Sequence, residues 1–204
     1  MSNPAASPSA FGLLDSLGDH VVINGTSYPI DMAVGAFTLA LNSEITSIQF
    51  TGGYNGDDPT GTDSFVVNFY GDNSGQPGTL LSSQTLSTVT RTSLAPSGGG
   101  IQLSPGHYAY AYQGVLDVAQ NLSSGSYFFG LSEVAQPTPG SWYWDGSTGG
   151  TTFLLDSSSS TYNVIPLQPS GVAFELDGQT VPEPSAIVML IAALGVLSCR
   201  RRVG

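Results

Sequence analysis

Apolar residues along this chain fall in short runs, and Gly, Asn, Asp, Ser and Pro fill the gaps between them. That is the pattern of strands separated by turns. Val21-Val22-Ile23 runs into Asn24-Gly25, the dipeptide that suits a two-residue hairpin turn because both positions tolerate positive φ. Phe37–Leu41, Ile45–Phe50 and Phe65–Tyr70 follow, with a Gly/Asp-rich loop expected over Gly52–Asp63 and a turn over Gly71–Gly78. Thr85–Thr90, Ile101–Leu103, Tyr108–Tyr112, Tyr127–Leu131, Trp142–Trp144, Thr152–Leu155 and Val172–Leu176 complete the series. In Tyr108-Ala109-Tyr110-Ala111-Tyr112 the alternation is strict, so the three tyrosines share one face of a strand. No segment ahead of Pro184 has a helical period. Some ten short strands with turns between them predict an all-β fold, an antiparallel β-sandwich of jelly-roll type.

The final stretch breaks this pattern. Pro182 and Pro184 fix φ and push their predecessors into extended geometry, so a helix begins at or after Pro184. The run Ala186–Cys199 is apolar on every side and ends at Arg200-Arg201-Arg202. At 1.5 Å per residue it is about 21 Å long, short of the usual span of about 17–25 residues. Arginine side chains can snorkel to headgroups and lengthen a short span, and a core helix rarely ends in three of them. The expectation is one short transmembrane helix over about 185–199, with the C-terminus cytoplasmic by the positive-inside rule. Three parts follow: a flexible Pro/Ala/Ser-rich entry over 1–18, a β-sandwich domain over 19–178 and an anchor segment over 179–204.

Charge changes the picture of what the body can bind. The 204 residues include no lysine, and apart from Arg200–Arg202 the only arginine is Arg91. Up to Thr180 there are 14 acidic residues and one basic, a net charge near −13. Such a surface repels phosphate backbones and excludes nucleic acid as a partner. It suits a secreted protein kept soluble by its own charge. A single cysteine, Cys199, excludes an internal disulfide and a cysteine-based metal cluster.

The order Val181-Pro182-Glu183-Pro184, short apolar helix, Arg200-Arg201-Arg202 resembles the PEP-CTERM sorting signal of Gram-negative bacteria. The resemblance covers about the last 24 residues. It implies export, transient anchoring in the inner membrane, cleavage near Pro-Glu-Pro by an exosortase-type protease, and release to the surface or an exopolysaccharide matrix. In that family the motif residues are recognised and are not themselves catalytic. In the body, Phe69–Leu81, Leu103–Tyr108 and Ser141–Trp144 resemble in order the "fyxDnxGxPGxll", "LxxGxYW" and Trp-rich segments of β-sandwich modules in secreted bacterial proteins. The chain departs from that pattern at Ala109, where an aromatic is usual. Met1–Gly18 holds no basic residue and no apolar core of signal-peptide type, so the expectation is a start upstream of Met1.

Three kinds of site come up for consideration. Calcium needs six to eight hard oxygens, which Asp57, Asp58, Asp63 and Asp72 could help supply from facing loops. Their spacing fails the EF-hand pattern, and hairpin turns use the same residue types. Trp142, Tyr143 and Trp144 could stack on sugar rings. Trp142 and Trp144 share a face that reads more readily as core, leaving Tyr143 as the better exposed ring. Catalysis has only His20 and His107 to draw on, with no nucleophile or metalloprotease motif beside either. The chain therefore reads as a non-enzymatic, exported surface or biofilm-matrix protein with no obligatory cofactor. Its expected partners are a processing protease, the inner membrane and exopolysaccharide. The competing reading is a lectin-like module, calcium-assisted or not.

Overall fold

The computed structural model of the chain describes residues 2–3, 14–15, 20–23, 26–29, 32–56, 62–94, 101–104, 107–134, 140–144, 146–147, 151–156, 161–164 and 171–181. Among the described residues all regular structure is β. In chain order the strands are β1 (Ser2–Asn3), β2 (Leu14–Asp15), β3 (His20–Ile23), β4 (Thr26–Pro29), β5 (Met32–Leu39) and β6 (Ser43–Gly56). Then come β7 (Phe65–Asp72), β8 (Pro77–Ser93), β9 (Ile101–Ser104), β10 (His107–Leu122), β11 (Gly125–Glu133) and β12 (Gly140–Trp144). The last are β13 (Gly146–Ser147), β14 (Thr152–Asp156), β15 (Thr161–Val164), β16 (Gly171–Val172) and β17 (Phe174–Thr180).

One curled antiparallel sheet, a half-barrel, holds most of them in the order β1-β17-β6-β10-β8-β7-β11-β5-β14-β15. The long strand β8 makes the curl. Its first half pairs with β7, from Asp72 opposite Pro77 to Val66 opposite Thr85, and its second half pairs with β10, from Leu86 opposite Leu116 to Ser93 opposite Tyr110. One strand thus belongs to both walls and turns the sheet back on itself. The walls meet through side chains: Phe37 and Phe129 of β5 and β11 touch Phe174 of β17, and Phe129 also meets Trp144 of β12.

Alternation decides which residues face inward. Ile48, Phe50 and Tyr54 of β6, Phe65, Val67 and Phe69 of β7, Tyr110 and Tyr112 of β10, and Phe129 and Leu131 of β11 are buried in one core. Tyr110 and Tyr112 lie there together, as the period-two pattern requires. A second, smaller core of Met32, Val34, Tyr70, Phe128 and Phe153 forms around β5, β11 and β14.

Turn chemistry reads through cleanly at two hairpins. Ile23 sits opposite Thr26, the closure expected around Asn24-Gly25. Between β7 and β8, Asn73 and Gln76 exchange both backbone hydrogen bonds, and Ser74 and Gly75 between them have φ of 57° and 83°. Two successive positive φ values make a type I′ turn, whose twist suits the flanking strands. Asp72 Oδ1 accepts a hydrogen bond from the Gly75 amide and secures it.

The described residues bear on several expectations. The strands are fewer in their interruptions and longer: β6, β8 and β10 have 14, 17 and 16 residues. The expected loop Gly52–Asp63 is strand as far as Gly56, because Gly52 and Gly53 lie in the ladder between β10 and β12. Within the entry segment, β1 pairs with β17 and β2 with β12. Residues 182–204, and with them the expected helix, lie outside the described residues. Among the described residues no helix is long and apolar enough to cross a membrane.

Candidate functional site

The most polar point of the core lies where the ends of several strands converge. Tyr54 follows Ile48 and Phe50 on the inward face of β6, and its backbone is paired with Tyr108 on one side and Trp142 on the other. Glu133 occupies the same face of β11 as Phe129 and Leu131, so alternation carries a carboxyl group into the interior, where the residue is 5% exposed. Asp63 stands just ahead of β7. Ser64 beside it accepts a 2.8 Å hydrogen bond from the Val134 amide, which ties that segment to the end of β11. Arg91 extends from β8 opposite Tyr112.

These four side chains form one cluster. The phenolic oxygen of Tyr54 lies 2.5 Å from Asp63 Oδ1 and 2.5 Å from Glu133 Oε1. Arg91 Nη1 donates to the same Asp63 Oδ1 at 3.2 Å, with the Asp63 side chain 5% exposed and that of Arg91 20%. The Arg91 guanidinium also stands over the Tyr110 ring, 5.0 Å from its centroid. Beneath lies an aromatic floor, in which Phe50, Phe65, Tyr112 and Trp142 all touch one another.

The surroundings bear on each charge. Burial raises the Tyr54 phenol far above its ordinary range, and its hydrogen bonds to Asp63 and Glu133 add to that. Burial also raises the Tyr112 phenol, helped by the charge of Asp63 and opposed by the Trp142 indole and Arg91. For Arg91, burial works against the cation, but Asp63 and then the nearby tyrosines outweigh it, leaving the guanidinium held more firmly than usual. Both phenols stay protonated throughout the physiological range. The cluster lies among packed strands with Arg91 partly open to water, and it clasps β6, β8 and β11 to the segment that opens β7.

No protein-family model, curated protein or solved structure matches the chain.

The residues singled out in the sequence separate widely. Trp142 and Trp144 are fully buried, and the Trp144 indole donates to the Ala173 carbonyl at 2.9 Å. Both rings lie in the core, because β12 closes against β6. The Tyr143 side chain lies outside what is described. Of the calcium candidates, Asp57 and Asp58 also lie outside the described residues. Asp63 stands two residues ahead of β7 and Asp72 is its last residue, up to about 30 Å apart at about 3.3 Å per residue, so one ion cannot bridge them. Asp63 faces Arg91, and Asp72 stabilises a turn. Among the described residues no group of three or more His, Cys, Asp or Glu could hold a metal. Of the sorting motif only Val181 is described: it is 39% exposed, and its amide donates to the Asn42 carbonyl at 2.8 Å.

Tyr54, Arg91 and Glu133 were not candidates on sequence grounds. A signal was present nonetheless. Glu133 continues the inward series Phe129, Leu131, and Arg91 follows Val89 at the inward spacing of β8.

Proposed function

We propose that this chain is a non-enzymatic, exported β-sandwich protein of jelly-roll type. A single C-terminal helix over about 185–199 holds it in the inner membrane until an exosortase-type protease releases the body to the surface or an exopolysaccharide matrix. The observation that carries this reading is the ordered tail: Val181-Pro182-Glu183-Pro184, an uncharged apolar run, and Arg200-Arg201-Arg202. Two further features support it. The strand β17 ends at Thr180, and Val181 is exposed where the chain leaves the sheet, so the Pro-Glu-Pro segment follows directly on the folded body. The net charge near −13 ahead of the tail keeps a released body dispersed.

The test is the intact mass of the mature protein from cells that have a working exosortase-type protease, beside cells that lack it. The expected product has lost Arg200–Arg202 and the apolar run in the first strain, and retains them in the carbonate-resistant membrane fraction in the second. Mature protein that still carries Val203-Gly204 in the first strain overturns the reading.

A further inference from the structure

The last strand and the tail that follows it overlap. Thr180 of β17 pairs with Ser43 of β6, and one residue further on the Val181 amide donates to the Asn42 carbonyl at 2.8 Å. Val181 opens the segment Val181-Pro182-Glu183-Pro184, so that segment starts while still held on the sheet. Only Pro182, Glu183, Pro184 and Ser185 then separate it from the apolar run at Ala186. Fully extended, those residues reach roughly 14 Å at about 3.6 Å per residue. A protease that grips an extended substrate pairs with its backbone, and proline has no amide to offer. On the body side the nearest amides belong to Gly178, Gln179, Thr180 and Val181, and these residues are engaged with β6.

Those four residues are arranged to leave β6 together. The register between β17 and β6 breaks between Asp177 and Gly178. Ahead of the break the strand is fastened: Asp177 Oδ2 accepts from Gln49 Nε2 at 2.9 Å and from Ser47 Oγ at 3.3 Å, and Leu176 is buried. Beyond it all four residues are exposed. Gln179 Nε2 donates to Glu44 Oε2 at 2.6 Å there, and no buried apolar side chain adds to it. On the other side of β17, β1 pairs only with Phe174 and Glu175, so among the described residues Gly178–Val181 form a sheet edge. Stretches with exposed hydrogen bonds and few buried apolar contacts are the first to open locally.

We infer that Gly178–Val181 is a strap that must lift off β6 before the tail is cut, and that the extended segment taken by the releasing protease includes the end of β17 itself. The inference rests on the sorting reading above and adds which of the chain's own residues the protease pulls free. With the strap down, the body stands close to the anchor and the backbone beside the Pro-Glu-Pro segment is occupied. With it up, the free length between body and apolar run doubles to roughly 29 Å. The fastening at Asp177 stops the peeling before it reaches the core. Release therefore follows the population of the lifted state.

The experiment follows release of the full-length protein from cells that carry the protease, in a Cys199→Ser parent so that the introduced thiols have no other partner. Ser43→Cys with Thr180→Cys joins facing residues within the strap, and Ser47→Cys with Asp177→Cys joins facing residues ahead of the break. The oxidised first pair should slow release at least about tenfold, and reduction should restore it, because cleavage of an opened state tracks its population. The second pair should be released at the parent's rate. A flexible Gly/Ser insert of about eight residues between Val181 and Pro182 should rescue the locked strap by supplying the missing reach. Gly178→Ala should speed release, since its methyl group would run into the Glu44 carbonyl oxygen and lift the strap. If Gly178→Ala does not fold, the two cysteine pairs still decide. Release of the oxidised first pair at the parent's rate, or equal slowing by both pairs, overturns the strap and leaves the sorting reading standing. A parent that is never cut in these cells overturns the sorting reading, and the strap with it.

Discussion

Phe50 of β6 and Tyr112 of β10 stack face to face across the ladder that joins their strands, with ring centroids 5.0 Å apart and planes within 8° of each other. Phe65 and Trp142 meet both rings edge-on, so four aromatics from four strands form one packed unit under the polar clasp. Ring pairs of this kind contribute beyond their buried area. The unit also explains why Trp142 is not a surface feature: its ring is the piece that fills the space between the walls.

The two hydroxyls of the cluster should respond differently to removal. The Tyr54 hydroxyl satisfies two buried carboxyl groups, and hydrogen bonds to such groups are the stronger kind. Tyr54→Phe is expected to cost about 2–3 kcal/mol in urea unfolding. The Tyr112 hydroxyl has the neutral Trp142 indole as its hydrogen-bonding neighbour and no carboxyl partner, so Tyr112→Phe should cost less, about 1 kcal/mol. Tyr112→Ala removes the stacked ring and should cost about 3–5 kcal/mol. Equal costs for the two Phe substitutions would show that the clasp contributes nothing specific.

Alkali should unfold the protein through the same two phenols. Both are raised by burial above the ordinary value of 10.0. Below pH 10 they are protonated in the folded and unfolded chain alike, and their contribution is complete. Above it the unfolded chain ionises and the folded one does not, so stability falls by about 1.4 kcal/mol per pH unit for each phenol. Urea midpoints measured from pH 9 to pH 12 should drop accordingly. Ultraviolet titration should show at least two tyrosines that ionise only together with unfolding.

The ion pair offers a third test. Removing one partner of a buried pair leaves the other charge uncompensated, at a cost of about 3–5 kcal/mol. Arg91 retains some access to water, so Arg91→Met is expected near the lower end, about 3 kcal/mol, in urea unfolding at neutral pH. Because Arg91 also covers Tyr110, Arg91→Lys should recover only part of this.

The sequence was informative where the apolar residues are dense. Phe65–Tyr70, Tyr108–Tyr112 and Tyr127–Leu131 lie within β7, β10 and β11, because alternation and β-branched or aromatic side chains describe a half-buried pleated surface well. It misled where small residues serve the ladder. Gly52 and Gly53 look like a loop and are strand, because backbones on both sides supply their partners; Thr85–Thr90 reads as a short strand and is part of the 17-residue β8 that bends the sheet. The clasp was hidden for a different reason. Asp63 sits in an Asp/Gly-rich stretch with the composition of a calcium loop, while its partners come from positions 28 and 70 residues further on. No local spacing links the three, and only the register of β8 and β11 brings them to Tyr54.

The closure of the half-barrel can be probed at a single glycine. A Cβ placed on Gly35 of β5 would lie 2.6 Å from Val172 Cγ2 and 2.9 Å from Phe174 Cε1 on the opposite wall. Such separations are well inside van der Waals contact, and a packed core yields little. Gly35→Ala should therefore cost about 1–3 kcal/mol by overpacking, measured by urea unfolding. Val172→Ala alone creates a small cavity and should also destabilise. Combined, the two should cost less than the sum of the singles, because the methyl group added on one wall takes up space vacated on the other. A coupling of about 1 kcal/mol or more in that double-mutant cycle is the expected signature of residues in contact. Strict additivity would mean that β5 and β16 do not face each other in solution, and the curl imposed by β8 would then be open at that side.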